Sequence, residues 1–198
     1  SRVASTKYHD NVIDPVDFDN LDRFSIDGKR LVLKSGTYGG NGTEYETEIF
    51  SNLRIKSWGV SPYGANFGPE HFTVEYPDGS IAYYGANSNS RSQINYAITY
   101  WQNPQGLRMN YEYYKIAPTN GNANEIRINK IKYGGRFSST AINEIQFEYN
   151  RTRARFENSY INGVNFGTIK VLNKIKVFSN NIKYREYNLT HNLSSLSY

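Results

Sequence analysis

The sequence predicts an all-β protein, with antiparallel sheet built from consecutive hairpins. Three observations predict it. The stretch from Phe67 to Gly85 carries Phe72, Val74 and Tyr76 in alternation with Thr73 and Glu75, then Pro77-Asp78-Gly79, then Ile81, Tyr83 and Tyr84. A period of two puts apolar groups on one face of a strand, Pro presets φ, and Gly accepts a positive φ without steric cost. The composition agrees: 18 Tyr, 10 Phe and 16 Gly stand beside only 38% hydrophobic residues, and no run of Ala and Leu favours a long helix. Aromatic side chains suit a pleated, half-buried surface. The third observation is an internal repeat, in which Asn129-Lys130-Ile131-Lys132 recurs as Asn173-Lys174-Ile175-Lys176. Each copy is followed by a turn and a second strand, Ile145–Tyr149 in the first and Tyr184–Thr190 in the second, so one hairpin is built twice.

The elements follow in order. Residues 1–21 are polar and aperiodic and are expected to form a lead-in arm. Asp27-Gly28 supplies a tight turn between short strands within 24–33. Residues 35–42 form a glycine-rich loop. From Thr43 to Phe50, Tyr45, Thr47 and Ile49 alternate with Glu44, Glu46 and Glu48, which predicts a strand with a buried and a solvated face. Residues 53–58 supply its partner. Residues 94–101 and 107–114 are expected as strands joined by Asn103-Pro104-Gln105-Gly106. The Pro-, Gly- and Asn-rich stretch 116–124 is a loop and the expected boundary between an N-terminal β-hairpin subdomain (22–116) and a C-terminal repeated-hairpin subdomain (117–198) of one continuous domain. Residues 158–167 are expected as a long loop inside the repeat.

Composition excludes several chemistries. Without cysteine there is no disulfide and no thiolate metal site. No apolar run approaches the roughly 18–20 residues that span a membrane as a helix. The sole Met is Met109, and no signal peptide is visible at Ser1, so the chain is expected to be a piece of a longer protein. The formal net charge of +5 is spread along the chain, a pattern that favours solubility over a nucleic-acid surface.

Candidate chemical constellations are few. Glu44, Glu46 and Glu48 share a strand face at about 6.5–7 Å spacing. Two carboxylates near that separation can hydrolyse glycosides, one as acid and one as base or nucleophile. The E-x-E-x-E pattern is loosely similar to that of jelly-roll glycosidases, whose motif has Asp at the centre. Trp58 and Trp101 could serve as sugar platforms; the competing expectation is a solvated strand face with both tryptophans buried. The loop Gly36–Gly42 has no Gly-Lys-Ser/Thr and no following helix to hold a phosphate. Arg151, Arg153 and Arg155 alternate onto one face, as a nucleic-acid edge or an interface would. His9, His71 and His191 lack metal-ligand spacing. Ser5 and Ser35 have no local nucleophile motif. The sequons at Asn41, Asn150, Asn188 and Asn192 matter only in a eukaryotic secretory path. No catalytic, cofactor-binding or metal-ligating residue is assigned.

Several blocks then line up in order. Asp22-Arg23-Phe24-Ser25-Ile26-Asp27-Gly28-Lys29-Arg30-Leu31 resembles the "DRF-x-x-DG-x-RL" segment of the SpvB N-terminal family. That family forms the front of B components of bacterial insecticidal toxin complexes and of related Rhs/YD-repeat proteins. Gly42-Thr43-Glu44-Tyr45-x-Thr47-Glu48 with Arg54-Ile55-x-Ser57-x-Gly59 resembles its next block, and Gly68-Pro69, Phe72-x-Val74, Asp78-Gly79 and Tyr84-Gly85 its third. Asn110-Tyr111-x-Tyr113 and Ile131-x-Tyr133 are similar to its later strands. The family's leading Gly-Trp-Ser-Leu-type block, a following propeller and any ADP-ribosyltransferase signature are not seen, so transferase activity is not carried over. The resemblance implies a sandwich-like or curved shell fragment. It implies a non-catalytic module of a secreted or cell-surface bacterial toxin-like protein, one that helps enclose an effector. Its partners would be neighbouring modules and other toxin-complex subunits, with no nucleic acid and no membrane insertion. The structural roles would rest on the turns at Asp27-Gly28 and Asp78-Gly79 and on Phe72, Tyr76, Phe147 and Tyr149. The alternatives are a carbohydrate-binding β module and a β-sandwich glycosidase using Glu44, Glu46 or Glu48.

Overall fold

The structure, a computed structural model, describes residues 1–6, 13–116, 124–137 and 139–191. It is nearly all strand. Three-residue 3-10 turns at Ala65–Phe67 and Ser88–Ser90 are the helical elements among the described residues. The chain divides into two units, Ser1–Pro104 and Gln105–Tyr198. The stretch expected to hold the subdomain boundary falls almost wholly on residues 117–123, outside the described residues. Eight strands of the first unit and five of the second lie in antiparallel ladders that do not close into a barrel.

The first unit holds β1 (Arg2–Val3), β2 (Ser5–Thr6), β3 (Ile13–Asp14), β4 (Arg23–Ile26), β5 (Lys29–Ser35), β6 (Glu44–Thr47), β7 (Arg54–Trp58), β8 (His71–Glu75), β9 (Ile81–Tyr84) and β10 (Ile98–Gln102). Its sheet runs β1-β4-β5-β6-β7-β8-β9-β10, with β2 and β3 as a separate pair. Apart from β1, this is a meander, each strand pairing with the next along the chain. Both expected turns are present. Asp27 and Gly28 have φ of 49° and 74°, the paired positive values of a type I′ hairpin turn. At the second, the Gly79 amide donates to the Tyr76 carbonyl (2.9 Å) and the Tyr76 amide to the Ser80 carbonyl (2.9 Å). Gly79 has φ 78°, and Asp78 Oδ1 accepts from the Ser80 amide and hydroxyl. A Cβ at Gly79 would also lie 3.1 Å from Pro104 Cγ. Gly79→Val therefore combines a disfavoured backbone region with crowding and should cost about 2 kcal/mol or more. An unchanged thermal midpoint would refute this role for the turn.

The core of the first unit is aromatic. Phe24, Leu31, Tyr45, Ile55, Phe72 and Val74 form one buried cluster, with Ile26, Tyr38, Tyr76, Tyr84 and Tyr96 packed against it. Phe24 meets Phe72 edge-on at 5.2 Å and Tyr96 at 6.0 Å, and stacks on Tyr38 at 5.8 Å. Each buried phenol finds a polar partner, as low-dielectric surroundings require. Tyr38 Oη donates to the Leu31 carbonyl, Tyr96 Oη to the Pro69 carbonyl, and Tyr45 Oη shares a bond with Ser57 Oγ. Burial pushes the Tyr38 and Tyr96 phenols up to about 12.

Two expectations are corrected here. The strand that was expected to run to Phe50 stops at Thr47, and Ile49 is 67% exposed rather than buried. The cause is local: Thr47 Oγ1 donates to the Ile49 carbonyl (2.6 Å) and bonds Ser51 Oγ, turning the chain out of the ladder. The polar arm is also not a bare lead-in. Its β1 pairs with β4, and the Arg2 side chain lies in a buried cage, donating to Asp22 Oδ2 (2.7 Å) and to the carbonyls of Gln93, Asp19 and Phe67.

The second unit holds β11 (Leu107–Ile116), β12 (Glu125–Arg136), β13 (Asn143–Glu148), β14 (Arg151–Ile161), β15 (Val164–Val171), β16 (Lys174–Ser179) and β17 (Ile182–Asn188). Its sheet runs β11-β12-β13-β16-β17. The repeat is a duplicated hairpin: β12–β13 is the first copy, β16–β17 the second, and β13 pairs with β16 where the copies meet. The expected long loop at 158–167 is instead a hairpin of β14 and β15. Asn162 and Gly163, at φ 43° and 76°, make the same type I′ turn as Asp27-Gly28.

Candidate functional site

On the first unit, the glutamate row lies on the sheet face opposite the aromatic core. Glu44 is clamped by Arg54 (Nη2 to Oε1, 3.0 Å), and Lys56 Nζ stands 3.8 Å from the same oxygen. Arg54 also reaches Glu75 (3.5 Å), while Glu46 and Glu48 are exposed. The Arg54 hydrogen bond, opposed by partial desolvation and aided by the nearby cations, lowers the Glu44 pKa. A glycosidase acid needs a raised pKa, so this environment runs against that role. None of the three glutamates lines the cavity beside Phe24, Ile55 and Tyr96 or the one beside Asp19, Tyr38 and Gly68.

The tryptophans are half-buried, where the scaffold expectation had them buried. Trp58 Nε1 donates to Thr73 Oγ1 (2.9 Å), and Lys56 Nζ sits 4.8 Å from its ring centroid. Its face is thus already engaged by a cation. Trp101 stands opposite Ala82 in the β9–β10 register. Other rings on the outer face stack on one another: His71 on Tyr83 at 6.2 Å and Tyr83 on Tyr100 at 4.4 Å. Rings that occupy each other's faces are poorly placed to stack on a sugar.

The glycine-rich loop spends its amides internally. Gly39 N donates to Tyr45 Oη, Gly40 N to the Thr37 carbonyl, and Gly42 N to the Ser57 carbonyl. These three amides are therefore not free to cradle a phosphate. A cavity of about 170 Å³ is lined mainly by core side chains, including Phe24, Leu31, Ile55, Phe72 and Tyr96.

Asp17, Asp19 and Asp22 form a carboxylate cluster that sequence spacing did not single out; all three have a ligand oxygen within 4.8 Å of the others. Their oxygens already shape the loop. Asp22 accepts from Arg2 and from the amides of Phe18 and Asp17, and Asp19 Oδ1 accepts from the amides of Leu21 and Asp22. These are backbone-capping bonds around a buried arginine, which account for the cluster without a metal. Ser5 Oγ donates to Asp14, and Ser35 lies exposed at the end of β5. Desolvation, partly offset by Glu70, lowers the His71 pKa. His191 Nε2 bonds the Leu172 carbonyl, and His9 lies outside the described residues.

The second unit presents a polar and an apolar face. On the polar face Lys130 pairs with Glu144 (3.3 Å), Lys132 with Glu112 (2.6 Å), Lys174 with Glu186 (2.8 Å), and Lys176 with Glu148. Arg153 pairs with Glu157 (2.6 Å), Arg151 reaches toward the His191 carbonyl, and the Arg155 side chain lies outside the described residues. Cations matched to carboxylates in this way do not form the unpaired basic stripe that nucleic acid requires. The other face carries cross-strand rows, Ile131–Ile145–Val177 and Phe147–Ile175–Tyr187. Among the described residues, every fully buried large apolar side chain belongs to the first unit; Ile131, Ile145, Phe147 and Ile175 are half-buried.

Hydrogen bonds from Lys174 and Lys183, outweighing partial desolvation, hold the Glu186 carboxyl down at about 2, against 4.5 unperturbed. A depressed folded-state pKa stabilises above the unfolded value and loses that contribution as pH falls through the folded one. Thermal stability of the second unit should therefore decline from pH 4.5 toward about 2. Glu186→Gln should flatten that decline. An identical acid limb in the variant would show that this carboxylate contributes nothing.

Among the described residues, the molecule is thus an open antiparallel sheet of tight hairpins with rows of ion pairs along it. Among solved structures, the chain is similar to the N-terminal domain of effector protein SpvB from Salmonella typhimurium strain LT2. The TM-score is 0.68 at 13% identity, over 90% of this chain and 74% of that one. It is also similar to the TcdB2-TccC3-TEV crystal structure (TM-score 0.64, 12% identity, 90% of this chain) and to TcdB2-TccC3-Cdc42 (0.61, 12%, 82%). The chain spans only 11% and 10% of those two chains. No protein-family model and no curated protein sequence matches it. At these identities the likeness establishes the fold, and it is the fold that the ordered motif blocks lead one to expect. No helix among the described residues is long and apolar enough to cross a membrane.

Proposed function

We propose that this chain is a structural, non-catalytic module of a large secreted bacterial toxin-like protein, contributing sheet to a shell that encloses or delivers an effector. The observation that carries the reading is the second unit's apolar face, which half-exposes Ile131, Ile145, Phe147 and Ile175 on a sheet whose other face is polar. A sheet with one apolar face is stable when another layer covers it. The shared fold with the SpvB domain and the TcdB2-TccC3 chains supports neighbouring modules and toxin-complex subunits as that layer. The clamped glutamates and self-stacked rings of the first unit speak against the glycosidase and carbohydrate-binding alternatives.

Hydrogen exchange tests this, comparing the isolated chain with the longer polypeptide that carries it. The amides of β12, β13 and β16 should gain protection in the longer protein. Equal exchange in both would mean that nothing covers the face, and the shell role would fall.

A further inference from the structure

The second unit shows how a hairpin is added to its sheet. Where the two copies meet, β16 lies antiparallel on β13, with Ile145 opposite Val177, Gln146 opposite Lys176, Phe147 opposite Ile175 and Glu148 opposite Lys174. That register is unbroken. It joins apolar to apolar on one face and sets Lys176 against Glu148 on the other.

The last strand, β17, is the counterpart of β13. Lys132 faces Glu144 as Lys176 faces Glu186; Ile131 faces Ile145 as Ile175 faces Tyr187; Lys130 faces Gln146 as Lys174 faces Asn188. Their surroundings differ. β13 is flanked on both sides and half-buried at every position, whereas among the described residues β17 pairs with β16 alone. Six of its seven positions are exposed, with Ile182 and Tyr184 each 72% exposed. A long edge strand carrying exposed aromatic and aliphatic groups is a ready template for another strand. Lys183 and Arg185, with the bulge at Val177/Phe178, guard the edge against undiscriminating pairing.

We propose that β17 is a docking edge for a partner hairpin of the same repeat chemistry. The partner would enter antiparallel in the β13–β16 register, with an apolar residue opposite Tyr187 and a lysine opposite Asn188. A second copy of this chain does not supply such a strand. Its Lys-Ile-Lys strands are β12 and β16, and each is already paired on both edges. The partner therefore comes from a different segment. This deepens the shell reading and rests on it, since it names where the next piece of sheet joins.

The probe is a synthetic peptide of residues 173–190, added in excess to the intact chain, with amide exchange followed residue by residue. Slowed exchange concentrated in Ile182–Asn188 is the expected result. A peptide with its Lys and apolar positions interchanged should have no effect. Tyr187→Lys should weaken the response about fivefold, the loss of one aromatic cross-strand pair, and Tyr187→Phe should preserve it. Protection that is absent, equal with the interchanged peptide, or already present without peptide and rising with protein concentration would overturn the proposal. The last pattern would mean self-pairing. If β17 gains no protection while the apolar face is covered in the longer polypeptide, the edge assignment fails and the shell role survives.

Discussion

Replacing Phe24 with alanine should destabilise the first unit by about 3–5 kcal/mol, the range for deleting a buried phenyl ring. Phe24 is 3% exposed and touches three rings of the core: Phe72 and Tyr96 edge-on, Tyr38 face-on. Its ring also lies 5.3 Å beneath the Arg2 guanidinium. Gly68 also closes on it: a Cβ there would come within 2.7 Å of Phe24 Cζ, so the backbone itself packs on the ring. Neighbours fixed by β-ladders cannot collapse into the space. The fall should appear as a lower urea midpoint with an unchanged m value. A loss below about 1 kcal/mol would mean that the aromatic cluster is not the core.

Arg2→Ala should cost a comparable amount, about 3–5 kcal/mol, for a different reason. The Arg2 and Asp22 side chains are 1% and 2% exposed. Removing the cation leaves the Asp22 carboxylate buried without its counter-charge, and leaves the Gln93, Asp19 and Phe67 carbonyls without the donor they share. Breaking one half of such a pair leaves a buried charge, so Arg2→Met with Asp22→Leu should recover the part of the loss due to the unpaired carboxylate, but not the part due to the carbonyls and the Phe18 amide left without partners. Because Arg2 and Phe24 touch, their single losses should not add. Urea unfolding of the singles and the double reads this directly. Additive losses would mean that cation and ring are independent.

These two residues mark the boundary of what the sequence made legible. Phe24 sits in a block whose short strands the Asp27-Gly28 turn predicts. Arg2 sits in a stretch without periodicity. The groups that explain it lie 17, 20, 65 and 91 residues along the chain, so no local window could show an arginine as a core residue. The same contrast recurs elsewhere. The turn at Pro77-Asp78-Gly79 is encoded by its own residues. The Asn162-Gly163 turn carries equal chemistry, yet the sequence reads there as a loop, because Asn158, Ser159, Asn165 and Gly167 are turn-favouring residues close on either side. There the ladder between β14 and β15 supplies the order that propensity does not. The alternation Tyr45, Thr47, Ile49 ran one residue pair too far, since a hydroxyl at Thr47 can bond the chain ahead of it.

The glutamate row was legible as a pattern but not as a site. Sequence gives the spacing of Glu44, Glu46 and Glu48; it does not give Arg54 and Lys56, which arrive on the neighbouring strand and hold Glu44 ionised. The duplicated hairpin was legible because Asn-Lys-Ile-Lys recurs with its alternation intact, although its last strand runs Ile182–Asn188 rather than Tyr184–Thr190. What the structure adds is that the copies pair with each other, which turns a repeat into a rule for extending a sheet.

The most direct test of the proposed structural role is an electron cryo-microscopy map of the large toxin-like protein of which we propose this chain is a module. The expected result is a continuous β-wall in which Ile131, Ile145, Phe147 and Ile175 are covered by a neighbouring module and β17 has a partner strand on the edge away from β16. A chain hanging apart from the rest, with that face and edge in solvent and a ligand seated against Glu44, would contradict the account.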